Sequence, residues 1–314
     1  MEISSEEIKS LLEHYDNIML TAHVNPDGDA IGSLVALREW LALLGKKVII
    51  AIDDTIEDKF LFLQGVDQIV RPETVVTDDS WLTVILDATA AERTGSAVQC
   101  IKGKVLNIDH HISNEHFADY EYIRADFAAT GEILTDLFQR WDILITSSMA
   151  NALYLAIATD CGFFKFSNTT GHTLRMAADL LDAGAKPNHI SEQLEERSLV
   201  KLRAISEVLK HIELFANNRI SGITFDTELL KFTGEHTGGY IDYARSVKGS
   251  EVAFTIKYIK DKESRVSLRS KSVDVNSIAA VFGGGGHIRA AGCTINMNLL
   301  DAKKHLVKEI LKAL

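Results

Sequence analysis

Short apolar runs alternate with longer amphipathic segments over the first 160 residues of the chain. The short runs predict strands, and the longer segments have the apolar periodicity of helices. Ser4 and Glu7 match a capping box that opens a first helix running toward His14. The strands are predicted at 17–23, 47–52, 82–86 and 105–108, and the further helices at 29–44, 130–141 and 148–159. This alternation is typical of an α/β fold with a doubly wound, mostly parallel sheet.

The pattern changes after about residue 186. A charged and mostly helical stretch, 188–215, leads into new apolar runs that indicate a smaller α+β domain. The strands predicted there are 219–225, 251–259 and 265–269, and the helices are 276–282 and 299–314. We therefore expect a larger domain over 1–187, a helical connector over 188–216 and a smaller domain over 217–314.

Composition and charge narrow the class of protein. Hydrophobic residues make up 46% and charged residues 25%, as in globular proteins. The formal net charge of −11 argues against a protein that coats duplex DNA, although local cations and metals can still bind a phosphate-bearing ligand. Three cysteines without CxxC spacing argue against a disulfide framework and a zinc ribbon, and favour a reducing, cytoplasmic location. The acidic start does not resemble a signal peptide, and no charge-free apolar run is long enough to predict a membrane span.

Polar residues follow three of the predicted strands at their carboxyl ends, namely His23, Asp87 and Asp109. In open α/β sheets ligands bind outside these ends, so residues far apart in sequence can meet in one crevice. Each segment alone also fits an ordinary capped turn or surface turn. The combined set is more specific, and it consists of His23, Asp27, Asp29, Asp87, His110 or His111, and Asp160.

The chemistry of this set predicts a metal centre. Four uncompensated carboxylates in one crevice would repel one another, and two divalent cations would remove that repulsion. Imidazole and carboxylate donors without a thiolate favour Mn²⁺, with Mg²⁺, Co²⁺ and Fe²⁺ as alternatives. Two such ions are an arrangement for displacement at phosphorus. Asp109, which precedes the adjacent His110 and His111, is suited to orient an imidazole ring.

A second candidate site lies near the C-terminus, where four glycines, 283–286, precede His287. Glycine lets a backbone approach a ligand closely, and successive amides can form an anion-binding nest. Nearby Arg269, Ser270 and Arg289 are suited to a phosphate group. A flexible linker is the alternative interpretation of the glycine run, and the apolar segments on both sides argue against it.

Together these motifs resemble the DHH superfamily of phosphoesterases. Four occur in the family's order, which are the segment from His23 to Ser33, the strand-end Asp87, Asp109-His110-His111, and Asp160 followed by Gly162. Arg269-Ser270 and the run Gly-Gly-Gly-Gly-His-Ile-Arg-Ala-Ala-Gly are similar to the accessory DHHA1 domain. The resemblance covers nearly the whole chain. It implies a catalytic DHH domain and a substrate-binding DHHA1 domain, with the active site in the cleft between them.

The resemblance also implies roles for individual residues. The two metal ions would share Asp87, and their ligands would be His23, Asp27 and Asp87 for one ion and Asp29, Asp87, His110 and Asp160 for the other. His111 would face the scissile phosphate, with Asp109 behind it and Arg93 near the site. The residue after the last aspartate is often Thr or Ser in the family and is Cys161 here, which leaves the ligand set intact. The implied substrate-binding residues are Arg269, Ser270, Gly284, Gly285, Gly286, His287 and Arg289.

In its layout the chain is similar to bacterial family members that hydrolyse RNA oligomers of two to about five nucleotides and convert 3′-phosphoadenosine 5′-phosphate (pAp) to AMP. This implies short single-stranded RNA and nucleotides as partners, and neither duplex DNA nor a membrane; a homodimer is left open. One alternative is a phosphodiesterase for cyclic dinucleotides or for linear dinucleotides such as pApA and pGpG. The alternative from another class is a non-catalytic nucleotide-binding module, but all six ligand positions are intact.

Overall fold

The apolar runs of the N-terminal part form one sheet in the computed structural model, which describes residues 1–234 and 237–314. Its strands are β1 (Asn17–Thr21), β2 (Lys47–Ala51), β3 (Ile69–Val70), β4 (Leu82–Leu86), β5 (Val105–Asp109) and β6 (Tyr120–Ile123). They lie in the order β3-β2-β1-β4-β5-β6, and every neighbouring pair is parallel. The strand order reverses between β1 and β4, so the prediction of a doubly wound α/β fold is confirmed.

Helices complete this first unit, which spans residues 1–196. They are α1 (Ser5–His14), α2 (Gly28–Leu43), α3 (Thr130–Arg140), α4 (Ser147–Asp160), α5 (Gly171–Asp182) and α6 (Pro187–Glu195). Short 3₁₀ segments lie at Asp58–Phe60, Val66–Gln68, Pro72–Thr74 and Ala91–Cys100. The capping box of α1 is confirmed, because Ser4 and Glu7 exchange both of its hydrogen bonds.

The close approach of α2 and α4 explains one glycine of the first motif. A Cβ atom on Gly32 would lie 2.2 Å from the carbonyl oxygen of Ala152, so any larger residue would push the helices apart. Both helices are buried along most of their length and contribute to the main core of this unit. This packing fixes the start of α2 and the end of α4, which carry candidate ligands.

A second sheet forms the centre of the other unit, residues 197–314. Its strands are β7 (Ile212–Phe215), β8 (Ile220–Phe225), β9 (Val252–Lys260), β10 (Glu263–Ser270), β11 (Gly285–His287) and β12 (Ala290–Ile295), in the order β11-β12-β10-β9-β8-β7. Among the described strand pairs of this sheet, only β8 and β9 are parallel, and the others are antiparallel. The helices are α7 (Leu199–Lys210), α8 (Thr227–Thr233), α9 (Tyr240–Arg245), α10 (Val275–Val281) and α11 (Leu299–Ala313). The predicted smaller α+β region is therefore confirmed.

The stretch 188–215 differs from its prediction in one respect. It is helical in α6 and α7, but its last four residues, Ile212–Phe215, form β7. This segment is a strand because it pairs with β8, and the sequence of the segment itself does not indicate that pairing. Ile190 packs into the core of the first unit and Val208 into a core of the second, so each helix belongs to a different unit. The connector and the domain boundaries stay predictions.

Among the described residues, every helix is too short or too polar to cross a bilayer. All three cysteines are free thiols in buried positions.

Candidate active site

The predicted ligands lie at the carboxyl edge of the first sheet. His23 comes two residues after β1, Asp87 directly after β4, and His110 directly after β5. β1 and β4 are neighbours at the point where the strand order reverses, which is the usual position of a ligand in such sheets. The beginning of α2 supplies Asp27 and Asp29, and the end of α4 supplies Asp160.

One group of donors forms around His23. Its Nε2 lies 3.9 Å from Oδ2 of Asp27 and 3.6 Å from Oδ2 of Asp87. The ring orientation is fixed because Nδ1 donates to the carbonyl oxygen of Val24 at 2.8 Å, which leaves Nε2 for the carboxylates. Asp27 is held by α2, since its Oδ1 accepts the N–H groups of Asp29 and Ala30 as an N-cap. One imidazole nitrogen and two carboxylate oxygens thus converge on a common point.

A second group forms around His110. Its Nε2 lies 3.8 Å from Oδ2 of Asp29 and 3.4 Å from Oδ2 of Asp160. The same nitrogen lies 3.5 Å from Oδ1 of Asp87, whose other oxygen faces His23. Burial lowers the pKa of His110, so its neutral ring keeps a lone pair that a cation can use. Asp87 therefore directs one oxygen to each group.

Burial and the proximity of the other charges shift the pKa values of the carboxyl groups in this cluster. Burial, together with the charges of Asp87 and Asp160, raises the pKa of Asp29 well above its usual range. Burial and the charge of Asp87 raise the pKa of Asp160 to about 7. Burial also works against ionisation of Asp87, but the hydrogen bond with His23 and the electrostatic attraction of the neighbouring histidines outweigh it and lower the pKa of Asp87. Four carboxylates and three imidazoles without a thiolate form a donor set that fits divalent cations.

His111 has a different environment from His110. Its Nδ1 donates to Oδ1 of Asp109 at 2.7 Å, and this hydrogen bond raises the pKa of His111 to about 9. Asp109 is fully buried, and it also accepts the backbone N–H groups of both histidines and the side-chain amide of Asn114. These contacts tie Asp109 to the histidine pair, and none of the candidate donor groups among the described residues includes it, so it orients the histidines from behind.

The structure does not bring the Arg93 guanidinium into contact with this cluster. The carbonyl oxygen of Arg93 accepts the N–H of Val24 at 2.7 Å, which places its backbone next to the His23 segment. The side chain is exposed, and it has no ion pair or hydrogen bond to residues 1–234 or 237–314.

The predicted phosphate-binding residues belong to the second unit. The register of the sheet aligns Arg269 with Ala290 and Ala290 with His287, so Arg269 and His287 occupy one row across three strands. Ser270 is buried, and its hydroxyl donates to the carbonyl oxygen of Val273. Arg289 donates to the same carbonyl oxygen at 3.1 Å.

The glycine run differs from the expected amide nest. The N–H groups of Gly283 and Gly284 donate to the carbonyl oxygens of Ala280 and Ala279, each at 3.0 Å, and so close the end of α10. Residues 285–287 then form β11. The first amides of the run are consequently committed to the fold, because the end of a helix needs donors for its last carbonyl groups.

Comparison with known proteins identifies the family. Residues 17–157 match the DHH family, N-terminal domain, and residues 227–314 match the DHHA1 domain. A Thermus thermophilus protein, named bifunctional oligoribonuclease and PAP phosphatase NrnA, is 31% identical over 94% of this chain and 89% of its own length. The chain belongs to the DHH family. DHH proteins are metal-dependent phosphoesterases, so this chain is a hydrolase. Its candidate metal-binding groups lie in the first unit.

Two other similarities extend over nearly the whole DHH chain. The protein of the same name from Bacillus subtilis is 27% identical over 90% of each chain. The crystal structure of an exopolyphosphatase-related protein from Bacteroides fragilis has a TM-score of 0.90 and 23% identity, and the match covers 98% of this chain and 95% of that one. The latter similarity shows a common fold.

The residues at the start of α3 also support this site, and the sequence did not predict their role. Asp29 accepts the N–H groups of Thr130 and Gly131 at 2.7 and 2.8 Å and the hydroxyl of Ser33 at 3.2 Å. The Thr130 hydroxyl donates to Oδ1 of Asp87 at 3.2 Å. The beginning of α3 therefore holds two carboxylates of the cluster. Two of these four donors are backbone N–H groups, which leave little trace in the pattern of residue types.

Glu132 holds this turn from the other side. Its carboxylate is buried, and it accepts the N–H of Ala128 at 2.7 Å and a hydrogen bond from Nδ1 of His172 at 2.7 Å. The turn of 128–131 thus lies between Glu132 and Asp29. The adjacent Thr-Gly-Glu residues at the start of a predicted helix are the only sequence signal for this arrangement.

Proposed function

We propose that this DHH-family chain uses two divalent cations to hydrolyse short single-stranded oligoribonucleotides, of two to about five nucleotides, and to convert pAp to AMP. The names of the relatives from Thermus thermophilus and Bacillus subtilis support both substrates. The observation that carries the proposal is the position of Asp87, whose two oxygens face separate groups of donors. A carboxylate between two donor groups would hold a pair of cations as close together as two-metal phosphoester hydrolysis needs.

Each cation would have its own ligands. His23, Asp27 and Asp87 would hold one, and Asp29, Asp87, His110 and Asp160 would hold the other. Mn²⁺ suits this mixture of imidazole and carboxylate donors, and Mg²⁺, Co²⁺ and Fe²⁺ are the alternatives. Bound there, the cations offset the carboxylate charges, lower the pKa of water and stabilise negative charge on a phosphate group.

His111 would act on the substrate itself. Asp109 holds the proton on Nδ1, so Nε2 is the ring atom that remains for a phosphate oxygen or the leaving oxygen. The positive ring would offset charge at that oxygen and supply a proton as the ester bond breaks. Arg93, with its exposed guanidinium, would bind a phosphate group nearby.

The second unit would hold the rest of the substrate. Arg269, His287 and Arg289 offer donors for another phosphate group or the terminal nucleotide, and the residues Ser270, Gly284, Gly285 and Gly286 shape the surface around them. The first unit would thus carry out the chemistry, and the second unit would contribute binding affinity.

The test is a turnover assay with an RNA trimer, pAp, pGpG, a cyclic dinucleotide and pyrophosphate, each with Mn²⁺ and with EDTA. We expect hydrolysis of the trimer and pAp with Mn²⁺ and none with EDTA. Preference for a cyclic or linear dinucleotide over both would contradict the substrate assignment. Binding without hydrolysis of any substrate would favour a non-catalytic module.

A further inference from the structure

The second sheet carries a recess beside the proposed phosphate-binding residues. Along β10, Arg265, Ser267 and Arg269 alternate with buried residues and therefore point to the opposite face. The register aligns Arg265 with Thr294 and Ser267 with Gly292 of β12. These five residues accordingly lie on one face of the sheet.

Helices cover only part of this face. Over β8 and β9, the side chains of Ile223, Phe225 and Ala253 pack against residues of α7, α8 and α9. Ala253 is the registered partner of Arg269, so the covered area and the uncovered area form one continuous surface. Over β10 and β12 a recess of about 530 Å³ remains. It extends to the edge of β12, because β11 pairs only with residues 290–292.

The lining of the recess is suited to an anion. Arg265 is exposed and has no ion pair or hydrogen bond within the described ranges 1–234 and 237–314. Of the side chains that the structure describes, no carboxylate lines the recess, although the whole chain has a formal net charge of −11. Ser267 and Thr294 add hydroxyl groups, and half-buried Phe282 adds an aromatic ring. A guanidinium beside hydroxyl groups suits a phosphate, and an aromatic ring suits a nucleic-acid base.

We propose that this recess is a subsite for an additional nucleotide of an oligonucleotide, with Arg265 on its phosphate and Phe282 against its base. The proposal rests on the proposed function and specifies how that function distinguishes its substrates. Arg265 and Arg269 are four residues apart on one strand, which is about 13 Å at the usual rise. They would therefore contact different phosphate groups. Since pAp contains only one nucleoside, it would not extend from one arginine to the other.

The experiment compares Arg265→Ala with Lys308→Ala in the full-length protein. Lys308 is an exposed cation on α11, which packs on the opposite face of the sheet, so it is a matched control. kcat/KM is measured with Mn²⁺ for an RNA trimer and for pAp. Binding of a fluorescently labelled trimer is measured separately by anisotropy in EDTA, where turnover is absent. We expect Arg265→Ala to weaken both trimer values about tenfold and to change pAp hydrolysis less than twofold.

A second variant tests the aromatic wall. Phe282→Leu keeps an apolar side chain against the neighbouring core but removes the ring, so trimer binding should weaken while pAp hydrolysis stays the same. Equal losses for the trimer and pAp, a trimer affinity of Arg265→Ala equal to that of Lys308→Ala, or no trimer binding by the wild-type protein would overturn the subsite. If the wild-type protein hydrolyses neither substrate but binds the trimer through Arg265, the proposed function fails and the subsite stands.

Discussion

The polar side chains of the two units are held in opposite ways. In the first unit, Asp29 and Asp109 are fully buried, and hydrogen bonds from the protein reach both oxygens of each carboxylate. In the second, Arg265 and His287 are exposed, and among the described groups Arg269 donates only to its neighbouring backbone carbonyl. Fixed donors suit ions that require a defined geometry, whereas exposed cations suit a flexible strand of variable length.

This difference predicts two kinds of mutational effect. Changes in the first unit should remove metal binding or turnover for every substrate, because the chemistry depends on fixed geometry. Changes in the second should alter affinity according to the length of the substrate. A substitution in the first unit that lowers turnover of only one of the two substrates, the RNA trimer or pAp, would contradict this difference between the units.

The largest effect is expected from Asp87→Asn. The amide would remove the charge that both donor groups share, so kcat should fall by about three orders of magnitude or more for both substrates. Isothermal titration with Mn²⁺ should show the loss of binding at the same time. Asp58→Asn, at an exposed position in a 3₁₀ segment, is the control and should change neither quantity. Turnover like that of the wild-type protein in Asp87→Asn would exclude a shared ligand.

A smaller effect is expected from Asp109→Asn. Because the Asp109 carboxylate orients His111 and raises the pKa of its ring, the amide would weaken both effects and kcat should fall about 100-fold. Mn²⁺ should still bind, since Asp109 lies outside the proposed ligand set. Loss of Mn²⁺ binding in parallel with the loss of kcat would show that Asp109 acts on the cations instead of on His111.

The sequence predicts the strand-end residues better than the residues that support them. Asp87 follows an apolar run directly, and His23 and His110 lie within two residues of one, so the rule for parallel sheets is enough to expect them together. Thr130 and Gly131 act through backbone N–H groups, whose positions depend on tertiary packing. The same limit applies in the second unit.

There, the run of glycines suggested free amides, but the first of them close a helix. Ser270 suggested a free hydroxyl, but the turn after β10 occupies it. In each case the residue type indicates a capability, and only the fold decides which neighbour uses it. The same holds for β7, which lies in a stretch predicted to be mostly helical but forms a strand because it pairs with β8.

The supporting turn gives the next effect in size. Glu132→Ala should weaken Mn²⁺ binding about tenfold, because the turn that donates to Asp29 loses its anchor. Glu132→Gln should recover most of the affinity, since its side-chain oxygen can still accept the N–H of Ala128.

The matched control for this change is Glu121→Ala. Glu121 is also a buried carboxylate between a histidine and a backbone N–H group, but it contacts His116 and Ala118 and none of the proposed ligands. The Glu121→Ala variant should have a lower Tm than the wild-type protein but the same affinity for Mn²⁺. Equal losses of affinity in both variants would assign the effect to general destabilisation of the fold.

The smallest effect concerns the stability of the metal-free protein. The raised pKa values of Asp29 and of Asp160, the latter about 7, mean that the folded state binds protons more tightly than the unfolded chain. Unfolded aspartates titrate near 4, so stability in EDTA is lost as the pH rises from about 4 through about 7. We expect Tm in EDTA to be a few degrees lower at pH 8 than at pH 5.5. Mn²⁺ should reverse this trend, because the cations compensate the carboxylates and compete with protons. Asp160→Asn should flatten the slope in EDTA, and an unchanged slope in that variant would contradict carboxylate crowding as its cause.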